Sequence, residues 1–498
     1  MTVAELGELA QTYRLVPMTR TLFADAETPV GVYRKLAAGR PGTFLLESAE
    51  PGRSFSRWSF VGVNAVASLS VVDDAASWRG DVPRGLPVGG DPLHVLAAAW
   101  RAIKAPRLPD LPPLTGGFVG YLGYDVVRRI ERLPDKAVDD LGLPELTMLL
   151  VTDLAAVDHH ECTVVLIANA LLHPDMTTDE IAAAHQDATA RLDRMQSALA
   201  TPAEATVATV AVVAPKQAES RSAPGAYEHA VELSIEAIRA GEVFQIVPGQ
   251  RFGVATDADP LDVYRVLRTL NPSPYMYYLH LDEVDIVGSS PEALVTVHGR
   301  EASIHPIAGT RRRGETPERD AELVHELVND PKERAEHVML VDLARNDLGR
   351  VCTPGSVAVV EFGAVERYSN VSHIVSTVTG EVRADLDAFD VFVSAFPHGT
   401  VTGAPKVRAM ELIDEFEPVR RGIYSGALGY LDPAGDIDMA ICFRTAIMKD
   451  GMAYVQAGAG VVADSIPAQE EQETRNKARA VLQAIATAET LRAVTGDA

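Results

Sequence analysis

The chain contains few cysteines and no closely spaced cysteine pair. Among its 498 residues only Cys162, Cys352 and Cys442 occur, an odd number at wide spacing with no C-x-x-C. This pattern argues against a disulfide framework and against a zinc site built on cysteine pairs. The sequence therefore predicts a protein of a reducing compartment, and we expect it in the cytoplasm.

Long apolar runs are also missing. No stretch of about 18 or more apolar residues occurs, so no membrane-spanning helix is predicted. The sequence after Met1, TVAELGELAQTYRL, lacks the basic flank and the apolar core of a secretory signal. The most apolar segment, LTMLLVTDLAAVDHH, is interrupted by Asp153 and Asp158, which favours a buried strand.

Positive charge is scarce. Lys and Arg together number 45 against 69 Asp and Glu, which gives a formal net charge of −24. Such a charge disfavours binding to nucleic acid or to an anionic membrane. An anionic ligand would need a site that reverses the local potential with a metal ion, Arg, Lys or backbone N–H groups.

The rest of the composition is that of an ordinary globular protein, with 47% hydrophobic and 23% charged residues. Groups of short strands separated by groups of helices favour an α+β fold with antiparallel sheets over a strict βαβ alternation. A segment rich in Ala, Thr, Ser and Pro at 201–225 predicts a linker or exposed loop. It would separate an N-terminal accessory region, 1–200, from a C-terminal region, 226–498, that contains most of the polar motifs.

Two predicted helices each present a Glu-x-x-Glu pair. Glu333 and Glu336 lie in KERAEHVMLVDLARNDLG, and Glu470 and Glu473 lie in QEEQETRNKA, where Lys477 follows at helical spacing. Residues three or four apart share one helix face, so each helix can direct two carboxylates to one point. Such a set suits Mg²⁺, which binds one or two carboxylates and keeps waters for substrate. Taken alone, each pair is more typical of a solvated helix face.

Three segments combine glycine with residues that bind anions: HPIAGTRRRG at 305–314, FPHGTVTGAPK at 396–406 and QAGAGVVADS at 456–465. The second segment is not a P-loop, because its spacing is Gly-x-x-x-Gly-x-x-Lys, but its Thr400 and Lys406 are candidates to bind an anion. Each segment also has a plainer interpretation as a surface turn.

Two single residues have two interpretations each. Arg444, which the sequence places in the strand DIDMAICFRT, is either a fork that binds a carboxylate or the ion-pair partner of Asp436 or Asp438. His373, in ERYSNVSHIVSTVTG, is either a proton acceptor or a hydrogen-bonded core residue. No Ser-His-Asp order and no G-x-S-x-G motif favours a nucleophilic hydrolase.

The segments PIAGTRRRG, DLARNDLGRV, FPHGTVTGAPK, AGAGVVADS and EEQETRNKA, in this order, resemble the chorismate-utilising enzymes. The resemblance is strong over about residues 225–498 and weaker before them. It implies an α+β fold of two facing antiparallel β-sheets wrapped by helices, with the active site in the cleft and an N-terminal regulatory portion. It also implies Mg²⁺ and chorismate, a dianion that needs local cationic and N–H partners.

The resemblance assigns roles residue by residue. Glu336 and Glu473 match direct Mg²⁺ ligands, whereas Glu333 and Glu470 match carboxylates that hold metal-bound water or line the same site. The positions that match catalytic groups are Glu292, which would protonate the leaving hydroxyl, His373, implicated in proton removal and pyruvate loss, and Thr400. The positions that match substrate-binding groups are Arg444, Gly458, Gly460, Lys477, Tyr424, Gln245, Ala308, Gly309 and Thr310.

Two of these positions favour the anthranilate-forming members of the family, the large subunits of anthranilate synthases. Members that add water to chorismate use a lysine base where this chain has Gln245, and glutamine cannot deprotonate water. Members that make aminodeoxychorismate have a lysine in PIKGT, where this chain has Ala308. The alternatives are aminodeoxychorismate, isochorismate or salicylate formation, and a catalytically silent binding subunit.

The implied reaction converts chorismate and ammonia through 2-amino-2-deoxyisochorismate to anthranilate and pyruvate, the first step of tryptophan biosynthesis. No cysteine lies in the G-x-C-x-G elbow of a glutaminase. We therefore expect ammonia from a separate glutamine amidotransferase subunit, in a hetero-oligomer. LLES and NPSPYMYY resemble the family's tryptophan feedback site, which would be formed by Glu47, Ser48, Pro274, Tyr275 and Met276.

Overall fold

A computed structural model of the chain describes residues 1–37, 39–49, 57–202, 207–367 and 371–494. The helices in these ranges are α1 (Val3–Leu9), α2 (Pro29–Leu36), α3 (Pro92–Ala102), α4 (Thr178–Ala200), α5 (Ala226–Arg239), α6 (Pro260–Leu270), α7 (Pro317–Asn329), α8 (Pro331–Gly349), α9 (Ala388–Ala395), α10 (Lys406–Phe416) and α11 (Pro467–Ala488). Short 3₁₀ helices occupy Tyr124–Arg129 and Gly399–Val401.

Most strands are short; the longest are β3 and β6 in the first half of the chain and β17 and β18 in the second. In chain order they are β1 (Leu15–Phe23), β2 (Thr43–Glu47), β3 (Trp58–Val72), β4 (Ala75–Gly80), β5 (Gly117–Leu122), β6 (Leu146–Asp158), β7 (Thr163–Leu171), β8 (Ala208–Thr209), β9 (Glu219–Ser220), β10 (Gln245–Ile246), β11 (Gly249–Ala255), β12 (Tyr275–His280), β13 (Asp285–Ser290), β14 (Ala293–His298), β15 (Glu301–Ile304), β16 (Ile307–Arg312), β17 (Ala358–Arg367), β18 (Val371–Glu381), β19 (Gly403–Ala404), β20 (Ala427–Leu431), β21 (Ile437–Ile441), β22 (Thr445–Lys449), β23 (Met452–Gly458) and β24 (Arg492–Ala493).

The strands form two antiparallel sheets that share β3 and β6. The first sheet runs β9–β11–β23–β22–β13–β12–β2–β3–β6–β7–β1, and the second runs β4–β3–β6–β5–β20–β21–β14–β15–β18, with β16 and β17 also paired to β18. The register of β3 against β6 shifts between Gly62 and Ala67. These shifts mark the place where both strands pass from one sheet to the other.

The inner faces of the two sheets enclose a central core. It includes Phe44, Tyr121, Leu154, Tyr277 and Leu428, all almost fully buried. Strand alternation puts every second side chain into this core and the intervening ones onto the outer face. The two sheets are thereby packed face to face.

Helices cover both outer faces and bury two further cores. On the first sheet, α1, α2, α4, α6 and α11 pack over residues such as Leu45, Val61 and Val455. On the second sheet, α3, α8 and α9 pack over residues such as Leu150 and Val295. The α+β prediction and the prediction of facing antiparallel sheets wrapped by helices are both confirmed.

The two-stranded ribbon β10–β19 lies apart from the large sheets. Gln245 is on β10, and β19 follows directly after the 3₁₀ turn that contains Thr400. Helix α8 packs on β16 and β18 of the second sheet, whereas α11 packs on β23 of the first. The two glutamate-bearing helices therefore belong to opposite sheets.

Residues on both sides of the segment 201–225 share both sheets, because β2 pairs with β12 and β5 pairs with β20. Residues 203–206 of that segment lie outside the described residues, and its later part contains β8 and β9. The division into 1–200, 201–225 and 226–498 stays a prediction. Within the described ranges, no helix is both long and apolar enough to cross a bilayer.

Two local expectations differ from the structure. Arg444 is not in a strand: it lies between β21 and β22 with a φ of 51°, a left-handed conformation that no regular strand has. The segment EVFQIVPGQRFGV, whose alternation of side chains predicts a single strand, forms β10 and β11 with a break at residues 247–248. Proline at 248 has no backbone N–H for a strand ladder, which accounts for the break.

Candidate active site

The first glutamate pair lies in the opening turns of α8. Asp330 is the N-cap, and its carboxylate accepts hydrogen bonds from the backbone N–H groups of Lys332 and Glu333 at 2.9 and 3.3 Å. Pro331 at the first helical position is already restricted to a helical φ. The cap fixes where α8 begins, and this places Glu333 and Glu336 one turn apart on one face.

Each member of this pair has a defined partner. Arg311 donates to Glu333 at 3.0 Å, and the Gln245 amide donates to Glu336 at 3.0 Å. Burial raises the pKa of the Glu336 carboxyl; the bond from Gln245 opposes this shift, and the nearby Glu333 charge adds to it. The structure thus connects α8 to both β16 and β10.

The second pair lies in the opening turns of α11. Glu470 is buried, and burial raises the pKa of its carboxyl, with the charge of Glu473 acting in the same direction. Glu473 pairs with Lys477 at 2.8 Å, and Lys477 also donates to the carbonyl of Gly458 at 2.9 Å. Lys477 therefore joins α11 to the end of β23.

Both pairs act on one region of the molecule. Lys332 and Lys477 each favour the ionised forms of both Glu336 on α8 and Glu470 on α11. This shared electrostatic environment indicates that the two helix N-termini lie near each other. Helix N-termini also carry partial positive charge, which favours an anionic ligand there.

The donor set fits Mg²⁺ in its chemistry, because it consists of carboxylate oxygens. Burial and the charge of the neighbouring glutamate, Glu333 or Glu473, disfavour the charged forms of Glu336 and Glu470. A divalent cation would stabilise those charged forms. Among the residues that the structure describes, no three acidic, His or Cys side chains are close enough together to hold an ion. One carboxylate from each helix, with water and substrate oxygens, is nevertheless an ordinary Mg²⁺ ligand set.

A buried carboxyl group, Glu292, lies between β13 and β14. Its Oε1 accepts a hydrogen bond from the Thr400 hydroxyl at 3.0 Å, and His398 Nδ1 is 3.8 Å from the same oxygen. Burial raises the pKa of Glu292 to about 8, although the Thr400 hydroxyl and the Ile307 N–H oppose the shift. At neutral pH the group is therefore a protonated acid.

His373 lies on β18 directly opposite Thr310 of β16. Its Nδ1 donates to the carbonyl of Gly309 at 2.9 Å, so in the neutral ring Nε2 carries the lone pair. Burial lowers the pKa of His373 to about 4. The ring is therefore neutral near pH 7, and Nε2 is a proton acceptor.

The bulge in β16 sets this geometry. The register between β16 and β18 shifts from Ala308 to Thr310, and Gly309 has a φ of 63°. A Cβ at Gly309 would lie 2.9 Å from Leu327 and 3.2 Å from the Glu333 carboxylate. Glycine is required here because the bulge both turns its carbonyl to His373 and approaches α8 closely.

The charge of Arg444 acts on both candidate catalytic residues, Glu292 and His373. Its charge lowers the pKa of Glu292 and of His373, so its guanidinium lies near both groups. Of the two alternative ion-pair partners, Asp436 and Asp438, the first is held by Arg107 at 3.0 Å and by His298 at 2.8 Å. These contacts support the interpretation of Arg444 as part of the site.

Gly458 and Gly460 permit close approach at the end of β23. A Cβ at Gly458 would be 2.8 Å from the Tyr424 hydroxyl, and one at Gly460 would be 2.5 Å from the Gln245 amide nitrogen. Tyr424 and Gln245 are buried at this point. The predicted catalytic, metal-binding and substrate-binding residues thus form one continuous set of neighbours.

The sequence did not indicate the buried ion pair behind this site. Arg421 donates to Glu417, to the carbonyl of Val401 at 2.7 Å and to that of Val247 at 2.6 Å. Glu417 also accepts from the N–H of Gly249 at 2.7 Å. The pair ties the Thr400 turn to the strand that follows Gln245, and only the spacing of four residues between Glu417 and Arg421 could have suggested it.

Lys406 does not act as an anion-binding residue. Its ammonium donates to Asp347 of α8 at 2.8 Å and to the carbonyl of Ala395 at 3.3 Å. The expectation for this lysine was wrong, because the buried Asp347 already holds it. Lys406 instead fastens α10 to α8.

The five predicted effector residues line one cavity of about 320 Å³ between the two sheets. Leu46 and Ser48 of the β2 region lie on one wall together with Pro274, Tyr275 and Met276. The side chain of Glu47 extends to the opposite face of the sheet, where its carboxylate accepts from Tyr264 at 3.1 Å and from Arg268 at 2.5 Å. Glu47 therefore reaches the cavity through its backbone.

Comparison with known proteins decides the family. A family model described as chorismate binding enzyme matches residues 41–483, which contain every predicted site residue and all strands of the two sheets except β1. The chain belongs to the chorismate-binding enzyme family. The match also crosses 201–225, so it covers the effector cavity as well as the glutamate helices.

Several members of the chorismate-binding enzyme family are similar over almost their whole length. Anthranilate synthase component 1 of Mycolicibacterium smegmatis is 57% identical over 97% of this chain and 93% of its own length. The same component of Arthrobacter globiformis is 49% identical over 99% of this chain and 94% of its own length.

Solved structures agree with this assignment. The crystal structure of anthranilate synthase component I from Streptococcus pneumoniae has a TM-score of 0.76 at 34% identity and covers 93% of this chain and 99% of its own. The menaquinone-specific isochorismate synthase from Escherichia coli has a TM-score of 0.67 at 18% identity, covering 97% of this chain and 98% of its own. The latter likeness concerns the fold.

Proposed function

We propose that the chain is the large subunit of an anthranilate synthase, which converts chorismate and ammonia to anthranilate and pyruvate in the first step of tryptophan biosynthesis. The observation that supports this choice within the family is the bond from the Gln245 amide to Glu336 at 3.0 Å. An amide at this position orients a carboxylate but cannot deprotonate water, whereas ammonia is already a nucleophile. The names of the similar component 1 proteins agree.

The first step replaces the ring hydroxyl by an amino group. The ammonia lone pair attacks C2, the two ring double bonds shift, and the C4–O bond breaks. Glu292, protonated at neutral pH, donates the proton with which the hydroxyl leaves as water. The product is 2-amino-2-deoxyisochorismate. The attacking nitrogen releases one proton to form the neutral amine, and this proton replaces the one that the Glu292 carboxyl has given up.

The second step makes the ring aromatic. The proton on C2 is removed while the C3–O bond breaks, and the enolpyruvyl group leaves, takes up a proton and becomes pyruvate. His373 Nε2 is the proposed acceptor, since the bond from Nδ1 to Gly309 holds the ring in the required tautomer. Arg444, Lys477 and the backbone at Gly458 and Gly460 would bind the substrate carboxylates.

Mg²⁺, when bound, would neutralise the ring carboxylate of chorismate. We propose Glu336 and Glu473 as its direct ligands, with Glu333 and Glu470 as the outer pair. The proposed partner is a separate glutamine amidotransferase subunit that supplies ammonia in a cytoplasmic hetero-oligomer, and the name component 1 of the relatives supports a second component. The cavity lined by Ser48, Pro274, Tyr275 and Met276 is the proposed site of feedback inhibition by tryptophan.

The decisive assay uses the purified chain with chorismate, Mg²⁺ and ammonium at mildly alkaline pH, and follows anthranilate fluorescence. We expect anthranilate and pyruvate in equal amounts without any partner, because free ammonia replaces the glutaminase product. Formation of aminodeoxychorismate, isochorismate or salicylate instead would overturn the assignment.

The metal ligands are tested by Glu336→Gln and Glu473→Gln. Each change removes one anionic oxygen donor, so we expect turnover to fall by at least about 100-fold and the Mg²⁺ concentration for half-maximal activity to rise. Glu471→Gln is the matched control, because this neighbour on α11 pairs with Arg475 at 2.6 Å. A normal rate at low Mg²⁺ in either test variant would contradict the ligand assignment.

A further inference from the structure

A histidine lies beside the buried carboxyl group of Glu292. His398 is the N-cap of the 3₁₀ helix Gly399–Val401, and it is almost fully buried. Its Nδ1 accepts a hydrogen bond from the backbone N–H of Thr400 at 3.3 Å. The same nitrogen lies 3.8 Å from Oε1 of Glu292, which is too far for a hydrogen bond. The ring therefore faces the carboxyl group without bonding to it.

The turn that carries His398 is held from several sides. The carbonyl of His398 accepts from the N–H of Val401 at 3.3 Å and from the hydroxyl of Thr402 at 3.0 Å. A Cβ at Gly399 would lie 1.8 Å from the side chain of Leu343, so the turn packs directly against α8. The backbone of His398 is therefore fixed relative to the surrounding elements.

The His398 ring is neutral over the whole range in which Glu292 titrates. Burial lowers the pKa of His398 to about 3, and the charge of Lys406 on α10 acts in the same direction. Lys406 is itself paired with Asp347 of α8. Nδ1 of the neutral ring carries a lone pair and no proton, because it accepts from the Thr400 N–H. His398 therefore has no proton on Nδ1 to donate to the carboxylate.

The carboxyl group of Glu292 has few hydrogen-bond donors. Among the residues that the structure describes, its donors are the Thr400 hydroxyl and the backbone N–H of Ile307. An ionised carboxylate can accept about four hydrogen bonds, so the anion is poorly solvated here. The charge of Arg444, in the connection between β21 and β22, favours the anion, but burial outweighs it. The scarcity of donors and of water therefore favours the protonated acid.

We propose that His398 is a positioning residue that keeps Glu292 protonated, because its ring fills the space beside Oε1, excludes water and offers no hydrogen bond there. The inference rests on the proposed function, in which Glu292 is the acid, and adds the neighbour that controls its proton. A smaller side chain would admit water as a donor to Oε1, and Glu292 would then ionise at a lower pH.

The test compares variants that empty this space with one that refills it. His398→Ser and His398→Ala both leave room for water. Serine also keeps an oxygen that can accept from the Thr400 N–H, which guards against a disturbed turn. His398→Leu is the matched control, because leucine has nearly the volume of histidine and no polar side-chain atom. Thermal melting of each variant checks that its fold is intact.

The first readout is the pH dependence of kcat/KM, expressed per concentration of free ammonia. In the unaltered chain we expect this quantity to fall above about pH 8. In His398→Ser and His398→Ala we expect the fall to begin at least about one pH unit lower, which adds a loss of about 10-fold at pH 9. In His398→Leu we expect the fall to stay near that of the unaltered chain. An equal shift in the leucine variant would overturn the role of water exclusion.

An infrared titration follows the Glu292 proton without the reaction. The carbonyl band of a protonated carboxylic acid is recorded against pH and assigned to Glu292 by its loss in Glu292→Gln. We expect the band to disappear around pH 8 in the unaltered chain and in His398→Leu. In His398→Ser and His398→Ala it should disappear at least about one pH unit lower.

The results separate this inference from the proposed function. If the unaltered chain forms no anthranilate but the infrared band shifts as expected, the proposed function fails and His398 still controls the Glu292 proton. If anthranilate forms but neither the pH dependence nor the band moves in His398→Ser and His398→Ala, only the inference is refuted. A loss of rate at every pH without a shift would also refute it, since that result shows structural support alone.

Discussion

At the scale of single residues, the site shifts the pKa values of two side chains in opposite directions: that of Glu292 is raised and that of His373 is lowered. Burial makes Glu292 an acid that keeps its proton and His373 a base that stays neutral. Each shift favours the form that the proposed chemistry uses. Burial in the same low-polarity surroundings therefore keeps Glu292 protonated and His373 neutral, the states that the proposed proton transfers require.

This arrangement predicts the pH dependence of the reaction. Because Glu292 must be protonated to donate and its pKa is raised to about 8, we expect kcat/KM, expressed per concentration of free ammonia, to fall above about pH 8. His373 titrates near 4, so it should cause no change between pH 5 and 8. The measurement is anthranilate formation across pH 6 to 10, corrected for the ammonia fraction.

The variant Glu292→Gln isolates the acid. It keeps the shape and an acceptor for the Thr400 hydroxyl, but it has no acidic proton. We expect a loss of about 10²-fold to 10⁴-fold in kcat and the disappearance of the alkaline fall. A variant that retained both the rate and the fall would show that another group donates the proton.

Residue spacing was enough to predict that each glutamate pair lies on one face of a helix, and the bounds of α8 and α11 confirm the two helices. Spacing was not enough for Arg444. The residues around it have the pattern of a strand, but Arg444 itself has a left-handed backbone conformation and lies in the connection between β21 and β22. For Glu47, alternation along β2 indicates that Leu45 and Glu47 share a face. Only the folded sheet shows that this face meets α6 and not the cavity.

At the scale of elements, the bulge in β16 connects His373 to helix α8. Gly309 orients His373 through its carbonyl and lies against Glu333 through its Cα. A displacement of this one turn would disturb both groups at once.

Gly309→Ala tests that connection, with Gly299→Ala as the matched control. Both glycines have a φ near 60°, at 63° and 62°, so each substitution carries a similar backbone cost of about 1 kcal/mol. A Cβ meets Leu327 and Glu333 at Gly309, whereas nothing lies within 4 Å at Gly299. We expect kcat/KM to fall by about 10-fold to 100-fold only in Gly309→Ala. Equal activity of the two variants in a steady-state assay would contradict this role for the bulge.

At the scale of the whole molecule, β3 and β6 bind the two sheets into one unit. Because both strands pass from one sheet to the other, neither sheet can form fully without them. Strands from the first 200 residues also complete the sheets formed by residues 226–498, since β12 needs β2 and β20 needs β5 as pairing partners. The hydrophobic pattern predicted strands and helices, but it could not predict these pairings between residues more than 200 positions apart.

Separate expression of residues 1–200 and 226–498 tests this dependence. We expect residues 226–498 alone to lack a cooperative thermal transition, because unpaired strand edges and the exposed central core are unfavourable. Co-expression of both pieces should restore a folded complex that forms anthranilate from ammonium. An isolated 226–498 piece that folds cooperatively and turns over chorismate would show that the catalytic region is independent.

The alternation of side chains along β2 also determines what a genetic selection would find. Cells selected for growth on a toxic tryptophan analogue would escape through many different replacements at Ser48, because almost any larger group there obstructs the cavity. Fewer replacements would be tolerated at Glu47, since most would leave Arg268 without its partner and cost the cell active enzyme. Neighbouring codons at the end of β2 would therefore show different mutational spectra under one selection.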